Sequence, residues 1–268
     1  MRFIIILLAS LFLFNSCDII VSGIESFSTI KEETKKQKRE KEDKKFSKSL
    51  QKKNGEKKYL YENGNIKSVV NYKDGKKIGT SFTFYKSGEK QYDIPYVDGM
   101  KHGKVLWYYK SGKIYRETEY KKGKKSGFQR KYWESGKLKS EMEYHDNMLS
   151  TGLKEISNTG KVKSTPSIRV ERIDRLKTAG EYILKMKLSN DRSKVEFFFG
   201  DLVDGKYIPE DGRGFSRMDV KKGVATFKFK VNRGKQVITD FKIIAIETTR
   251  YQNKRVITKN VPISIRNQ

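Results

Sequence analysis

Few side chains in this sequence could do covalent chemistry. Cys17 is the only cysteine, and His102 and His145 are the only histidines. A single thiol excludes an internal disulfide framework and any multi-cysteine zinc site. His102 stands between Gly99 and Gly103 in a turn, and neither histidine belongs to an H-E-x-x-H pair; both are expected to face solvent. No Walker loop or nucleophile elbow is present. Gly212-Arg213-Gly214 lacks the strand-to-helix setting of a nucleotide fingerprint. Asp201, Asp204, Glu210 and Asp211 gather oxygen ligands of the kind calcium takes, but without EF-hand spacing; they read as an acidic loop. No carboxylate pair is singled out for glycoside hydrolysis. The expectation is a protein with no catalytic residue, no metal and no cofactor.

The abundant reactive property is charge. Lys and Arg number 59 against 32 Asp and Glu, a net +27. The excess runs through every part of the chain, which argues against one nucleic-acid footprint, so no nucleic-acid partner is expected. It reads either as compositional bias or as attraction for anionic lipid, cell-wall polymer or acidic glycan. One subset is ordered: Lys76, Lys77, Lys101, Lys124 and Lys125 recur in equivalent turns. Stacked turns would align them along one edge as an anion-binding stripe. Lysines on an exposed edge also suppress aggregation, and the sequence leaves both readings open.

A repeat positions those lysines. Gly64, Gly88, Gly112, Gly136 and Gly160 recur every 24 residues, as do Gly75, Gly99 and Gly123, and Gly55, Gly79, Gly103 and Gly127. Tyr61, Tyr85, Tyr109 and Trp133 stand three residues before the first series; Tyr72, Tyr96, Tyr120 and Tyr144 keep the second. Dipeptides such as Ser87-Gly88 and Asp98-Gly99 supply the positive φ of tight turns. Each unit therefore reads as two antiparallel strands, and the stack as a meander of roughly ten. Leu60, Phe84, Tyr108, Tyr132 and Ile156 are expected to form one ladder, and Ile66, Ile114, Leu138 and Val162 another, interrupted by Lys90.

The pattern over residues 55–164 resembles the variant MORN repeat of bacterial proteins, many of them labelled YwqK-type antitoxins. The resemblance implies a β-sheet scaffold. For eukaryotic members it implies membrane lipid, and for the antitoxin label a toxin partner in the cytoplasm. It fades where Asn147, Thr151 and Ser157 replace Gly, Gly and an aromatic, as in a capping repeat.

The N-terminus gives Cys17 its meaning. Arg2 precedes an apolar run from Phe3 to Phe14, broken only by Ser10. That suits a signal-peptide core of roughly 7–15 residues and falls short of the roughly 20 that span a bilayer. Asn15-Ser16-Cys17 then resembles a bacterial lipoprotein signal of the looser, spirochaete type. The resemblance implies removal of residues 1–16 and lipid on Cys17. Residues 17–54, rich in Lys and Glu, read as a charged tether.

Beyond Thr165-Pro166 the period stops. Apolar runs at Tyr182–Leu188, Val195–Phe199, Val224–Val231, Phe241–Glu247 and Val256–Ile265 are separated by turn signals. About seven strands over 166–268 suggest an immunoglobulin-like β-sandwich, with a Greek-key barrel as the alternative. The whole reads as an all-β chain: an elongated antiparallel repeat sheet followed by the sandwich. The function expected is that of an exported, lipid-anchored envelope protein without enzymatic activity. It would sit on the periplasmic face or the outer surface and act as a scaffold or binding module with a protein partner in the envelope. A toxin-neutralising antitoxin and an envelope-polymer hydrolase are the alternatives.

Overall fold

A computed structural model describes residues 35–42 and 54–268. The apolar leader, Cys17 and most of the tether lie outside the described residues. Residues 35–42 form an exposed helix, α1, where the sequence favoured an irregular tether. Lys36 and Glu40, and Lys38 and Glu42, stand four apart in it, a spacing that supports a helix with no face to bury. No helix among the described residues is long and apolar enough to cross a membrane.

The repeats build Gly55–Leu60 (β1), Ile66–Lys73 (β2), Lys76–Phe84 (β3), Lys90–Val97 (β4), Met100–Lys101 (β5), Gly103–Tyr108 (β6), Ile114–Lys121 (β7), Lys124–Tyr132 (β8), Leu138–His145 (β9), Met148–Ser150 (β10) and Lys154–Glu155 (β11). They follow one another across an antiparallel sheet in the order β1-β2-β3-β4-β6-β7-β8-β9-β10, with β5 on β4 and β11 on β9. The two expected ladders face each other across the hairpins. Phe84 pairs with Lys90, Tyr108 with Ile114, Tyr132 with Leu138 and Ile156 with Val162.

Each kind of turn contributes a bond to a neighbouring repeat. In the first kind, the Gly88 amide donates to the Tyr85 carbonyl, and Gly112 does the same to Tyr109. The aromatic of that turn then reaches one repeat onward. The hydroxyls of Tyr61, Tyr85 and Tyr109 donate to the carbonyls of Phe84, Tyr108 and Tyr132 at 2.8, 2.7 and 2.9 Å. Trp133 makes the same bond through its indole nitrogen to Ile156 at 3.2 Å. Ser157 occupies the last slot, where no further repeat exists to receive such a bond. In the second kind of turn both central residues have positive φ, as in Asp98 (50°) and Gly99 (80°), the type I′ geometry that suits twisted hairpins. The amides of Gly99, Gly123 and Asn147 donate back to Lys77, Lys101 and Lys125 carbonyls, each at 2.9 Å. Asn147 replaces glycine there at a φ of 71°, a conformation that asparagine tolerates.

The remaining chain builds Ile168–Arg175 (β12), a short helix Leu176–Ala179 (α2), Glu181–Leu188 (β13), Val195–Phe199 (β14), Tyr207–Pro209 (β15), Ser216–Arg217 (β16), Val220–Lys221 (β17), Val224–Lys230 (β18), Gln236–Thr248 (β19) and Lys254–Arg266 (β20). Two four-stranded sheets result, β12-β13-β18-β17 and β16-β14-β19-β20. With β12 as the first strand, these are the A-B-E-D and C′-C-F-G orders of an immunoglobulin-like sandwich. Leu184, Met186, Leu188, Phe197 and Ala245 fill its core, each 0 % exposed. The alternation Ala225-Thr226-Phe227-Lys228-Phe229 supplies one inward face.

The segment read as an acidic loop joins the repeats instead. Its strand β15 pairs with β10, Leu149 opposite Ile208, and extends the repeat sheet to twelve strands. Both residues are fully buried in an apolar cluster with Met142, Tyr144, Phe198 and Ile244. The end of the period at Thr165-Pro166 is thus not the end of the sheet. Among the four acids, Asp201 pairs with Lys242, Asp211 with Arg213 and Glu210 with Lys125, while Asp204 occupies a positive-φ turn position.

Candidate binding face of the repeat sheet

Strand alternation divides the repeat residues between two faces, and the two differ in charge balance. On one face, the row Phe82, Asp93, Leu106, Glu117, Arg130 and Glu141 runs across β3, β4, β6, β7, β8 and β9. Charges there are matched. Arg130 donates to Glu117 at 3.0 Å and Glu141 at 2.6 Å, Tyr108 donates to Asp93 at 2.7 Å, and Lys206 meets Glu143 at 2.5 Å.

The opposite face carries three rows. The middle row contains Ser81, Val105, Thr118, Gln129 and Met142, all buried although they belong to a single sheet layer. Larger side chains flank the first four, whereas Met142 is buried in the apolar cluster with Phe198 and Ile244. One flanking row reads Thr83, Tyr92, Trp107, Arg116, Lys131 and Ser140, each directly opposite the next. Tyr92 and Trp107 stack with centroids 5.2 Å apart, and Tyr115 meets Trp107 edge-on at 4.7 Å. The Arg116 guanidinium lies 4.8 Å from the Trp107 ring. Among the described residues it has no carboxylate partner.

The other flank alternates lysine with tyrosine: Lys77, Tyr96, Lys101, Tyr120, Lys125 and Tyr144. Lys101 is opposite Tyr96, and Lys125 is opposite Tyr120. Each lysine also lies over the next tyrosine, with Nζ-to-centroid distances of 5.0, 5.2 and 4.7 Å for Lys77, Lys101 and Lys125. The ring quadrupole favours the cation there. It does not remove the crowding of like charge. Burial pulls Lys101 below the usual lysine range, and the positive charges of Lys77, Arg116 and Lys125 lower it further. Burial also raises the phenol of Tyr120.

The five lysines picked out by sequence therefore separate. Lys77, Lys101 and Lys125 are half-buried on the cation-rich face. Lys76 and Lys124 are exposed, out of alternation with them, and Lys124 pairs with Asp146 at 3.1 Å. His102 and His145 are exposed, as expected. Sequence reasoning missed Arg116 and Lys131. The signal for both was a departure from the repeat: Arg116 stands where the equivalent slots hold Ser68, Tyr92 and Ser140, and Lys131 where they hold Thr83 and Trp107.

At the last repeat the chain covers this face itself. The turn Thr249–Asn253 between β19 and β20 places two backbone carbonyls, Tyr251 and Gln252, at 3.2 and 3.1 Å from Lys131 Nζ. The Tyr251 ring meets Trp133 edge-on at 5.3 Å, with Lys139 and Lys163 5.1 and 3.8 Å from its centroid. Lys131 is only 5 % exposed. Burial, then the charges of Arg116 and Lys139, lower it to about 8. Upstream, the positions around Arg116 and Lys101 have no such cover from the turn.

Three segments, 53–74, 101–122 and 127–146, match the family model described as MORN repeat variant. No curated protein matches the chain. The matched segments contain Lys101, Tyr120 and Tyr144 of the lysine–tyrosine row and Trp107, Arg116, Lys131 and Ser140 of the Arg116 row, while Lys77, Tyr96 and Lys125 lie outside them.

Proposed function

We propose that this chain is a non-enzymatic binding scaffold of a bacterial envelope, exported and held at a membrane by lipid on Cys17. In this reading the cation-rich face of its repeat sheet takes an anionic partner, and the sandwich stiffens the end of that sheet. MORN repeats suggest a binding or scaffold module. The observation that carries the reading is the charge asymmetry of the two faces. Acids and bases neutralise one another on one, whereas Lys77, Lys101, Arg116 and Lys125 crowd together on the other, where Lys125 meets only Glu210, at 3.8 Å, and Arg116 has no carboxylate among the described residues. Crowding like charges costs stability unless something outside the fold compensates. An anion docking on the face would do so.

The test uses the full chain in uncharged detergent, titrated with polyglutamate and polyphosphate. Arg116→Gln is expected to weaken binding of at least one polyanion about tenfold, the scale of a charge-assisted hydrogen bond. Equal binding by the parent and Arg116→Gln contradicts the reading. Anchoring is tested separately. Cys17→Ser should release the chain from membranes after a high-salt wash, because one short apolar segment and no acyl chain would remain. Retention of the serine variant would assign the anchor to residues 3–14.

A further inference from the structure

We infer that the partner of this face is a linear acidic polysaccharide bearing one carboxylate on every second sugar, lying across the strands along the lysine–tyrosine row. The inference rests on the reading of that face as an anion site and names its ligand.

Spacing is the first observation. Lys77, Lys101 and Lys125 are one repeat apart, and each repeat advances the sheet by two strands. Strands lie about 4.8 Å apart, so successive lysines recur every ~10 Å and the three span about 19 Å. The disaccharide step of an extended glycan is close to that recurrence, so alternate sugars would bring a carboxylate to Lys77 and Lys101 in turn, and to Lys125 in place of the half-exposed Glu210 that lies 3.8 Å from it.

The second observation is how the tyrosines are used. The series Tyr61, Tyr85 and Tyr109 commits its hydroxyls to backbone carbonyls of the next repeat. Tyr96 and Tyr120 make no hydrogen bond through their hydroxyls among the described residues, and both are half-buried. They offer neutral donors between the cations, where the hydroxyls of a sugar chain need partners. A third observation separates this ligand from a membrane surface. The row lysines are half-buried beside rings, while the exposed Lys76 and Lys124 are out of alternation with them. A bilayer meets the exposed set first; a slender chain of sugars reaches the half-buried one. The turn at Tyr251 already shows oxygen acceptors and a ring satisfying this face, through two carbonyls on Lys131.

The experiment titrates the full chain in uncharged detergent with oligosaccharides of two, four and six sugars in which uronate alternates with a neutral sugar. Inositol hexakisphosphate serves as a compact phosphate control. Affinity should rise at least tenfold from two sugars to six, because only the longer chain engages all three lysines. Lys101→Gln should lower it about tenfold and Tyr120→Phe about threefold, for a charged and a neutral hydrogen bond respectively. Both variants must keep the parent's thermal unfolding midpoint. If either does not, Lys77→Gln takes its place, with the same tenfold loss expected. Equal affinity for two and six sugars overturns the inference. So does inositol hexakisphosphate binding that is lost in Lys101→Gln while the six-sugar ligand does not bind; in that case the anion-site reading survives. Failure of every anion to bind removes both.

Discussion

The Arg255 guanidinium on β20 donates to the Glu155 carboxylate on β11 at 2.9 Å, and so joins the last sandwich strand to the last repeat strand. Its other arm reaches Glu247 at 3.3 Å. Glu155 also accepts from Thr249 at 2.6 Å and Asn253 at 2.7 Å, and Glu247 from Asn190 at 2.9 Å. All three ionic side chains are buried. The network fixes the Thr249–Asn253 turn at both ends, and that turn is what covers Lys131.

Arg255→Met is therefore expected to destabilise the protein by about 3–5 kcal/mol, because it leaves the buried Glu155 carboxylate without a cation, while Glu247 keeps Arg192 at 3.1 Å. Urea denaturation followed separately by far-ultraviolet circular dichroism and by tryptophan fluorescence measures this. The tryptophans, Trp107 and Trp133, are in the repeats, so both signals should shift together. An unchanged midpoint would show that the network adds nothing to the joint.

Lys131 makes stability depend on pH. In the fold its ammonium titrates at about 8, below the ordinary 10.5. The unfolded chain therefore binds this proton more tightly than the folded one. Below pH 8 the full cost of holding the charge is present. As pH rises from 8 toward 10.5 the folded side chain is already neutral, and stability from this group increases. The parent should gain stability relative to Lys131→Met between pH 7 and 9.5. A difference that stays flat over that window would place the ammonium in a better solvated setting than the structure shows.

The first-turn bonds can be taken apart one at a time. Gly112 has a φ of +80° with nothing near a would-be side chain, so Gly112→Val suffers from backbone strain alone, about 1–3 kcal/mol. Tyr109→Phe deletes one bond to Tyr132 and should cost about 0.5–1.5 kcal/mol. Lys110→Ala, at an exposed turn position between them, should change little. Thermal melts that rank Lys110→Ala with Gly112→Val would contradict the turn geometry.

The repeat sheet was legible because its period is carried by glycines and aromatics whose roles are local. Gly112 and Tyr109 belong to one turn, and the same turn recurs at each step of the period. The sandwich was legible where strands alternate, as in β18, and in its long buried runs. What sequence could not give depends on distant partners. The strand at Tyr207–Pro209 is three residues long and forms because Leu149 waits opposite Ile208; nothing in its own composition distinguishes it from a loop. Lysine turns were visible, but not their division between faces. A lysine pair such as Lys124-Lys125 necessarily points its members to opposite sides of a strand, and only the register shows which one meets Tyr144. Arg116 and Lys131 lay outside the turns altogether and were hidden by a search for recurrence, since each breaks the repeat.

The most direct measurement of the central claim removes equal charge from the half-buried and from the exposed lysines of the repeat turns, Lys122 beside Gly123 being one of the exposed ones. Lys77, Lys101 and Lys125 changed together to Gln are compared with Lys76, Lys122 and Lys124 changed together to Gln, each in the full chain, in binding to a polyanion across a salt series. The account predicts that the half-buried set loses at least tenfold more affinity than the exposed set and flattens the salt dependence more. Equal losses, in proportion to net charge alone, would contradict it.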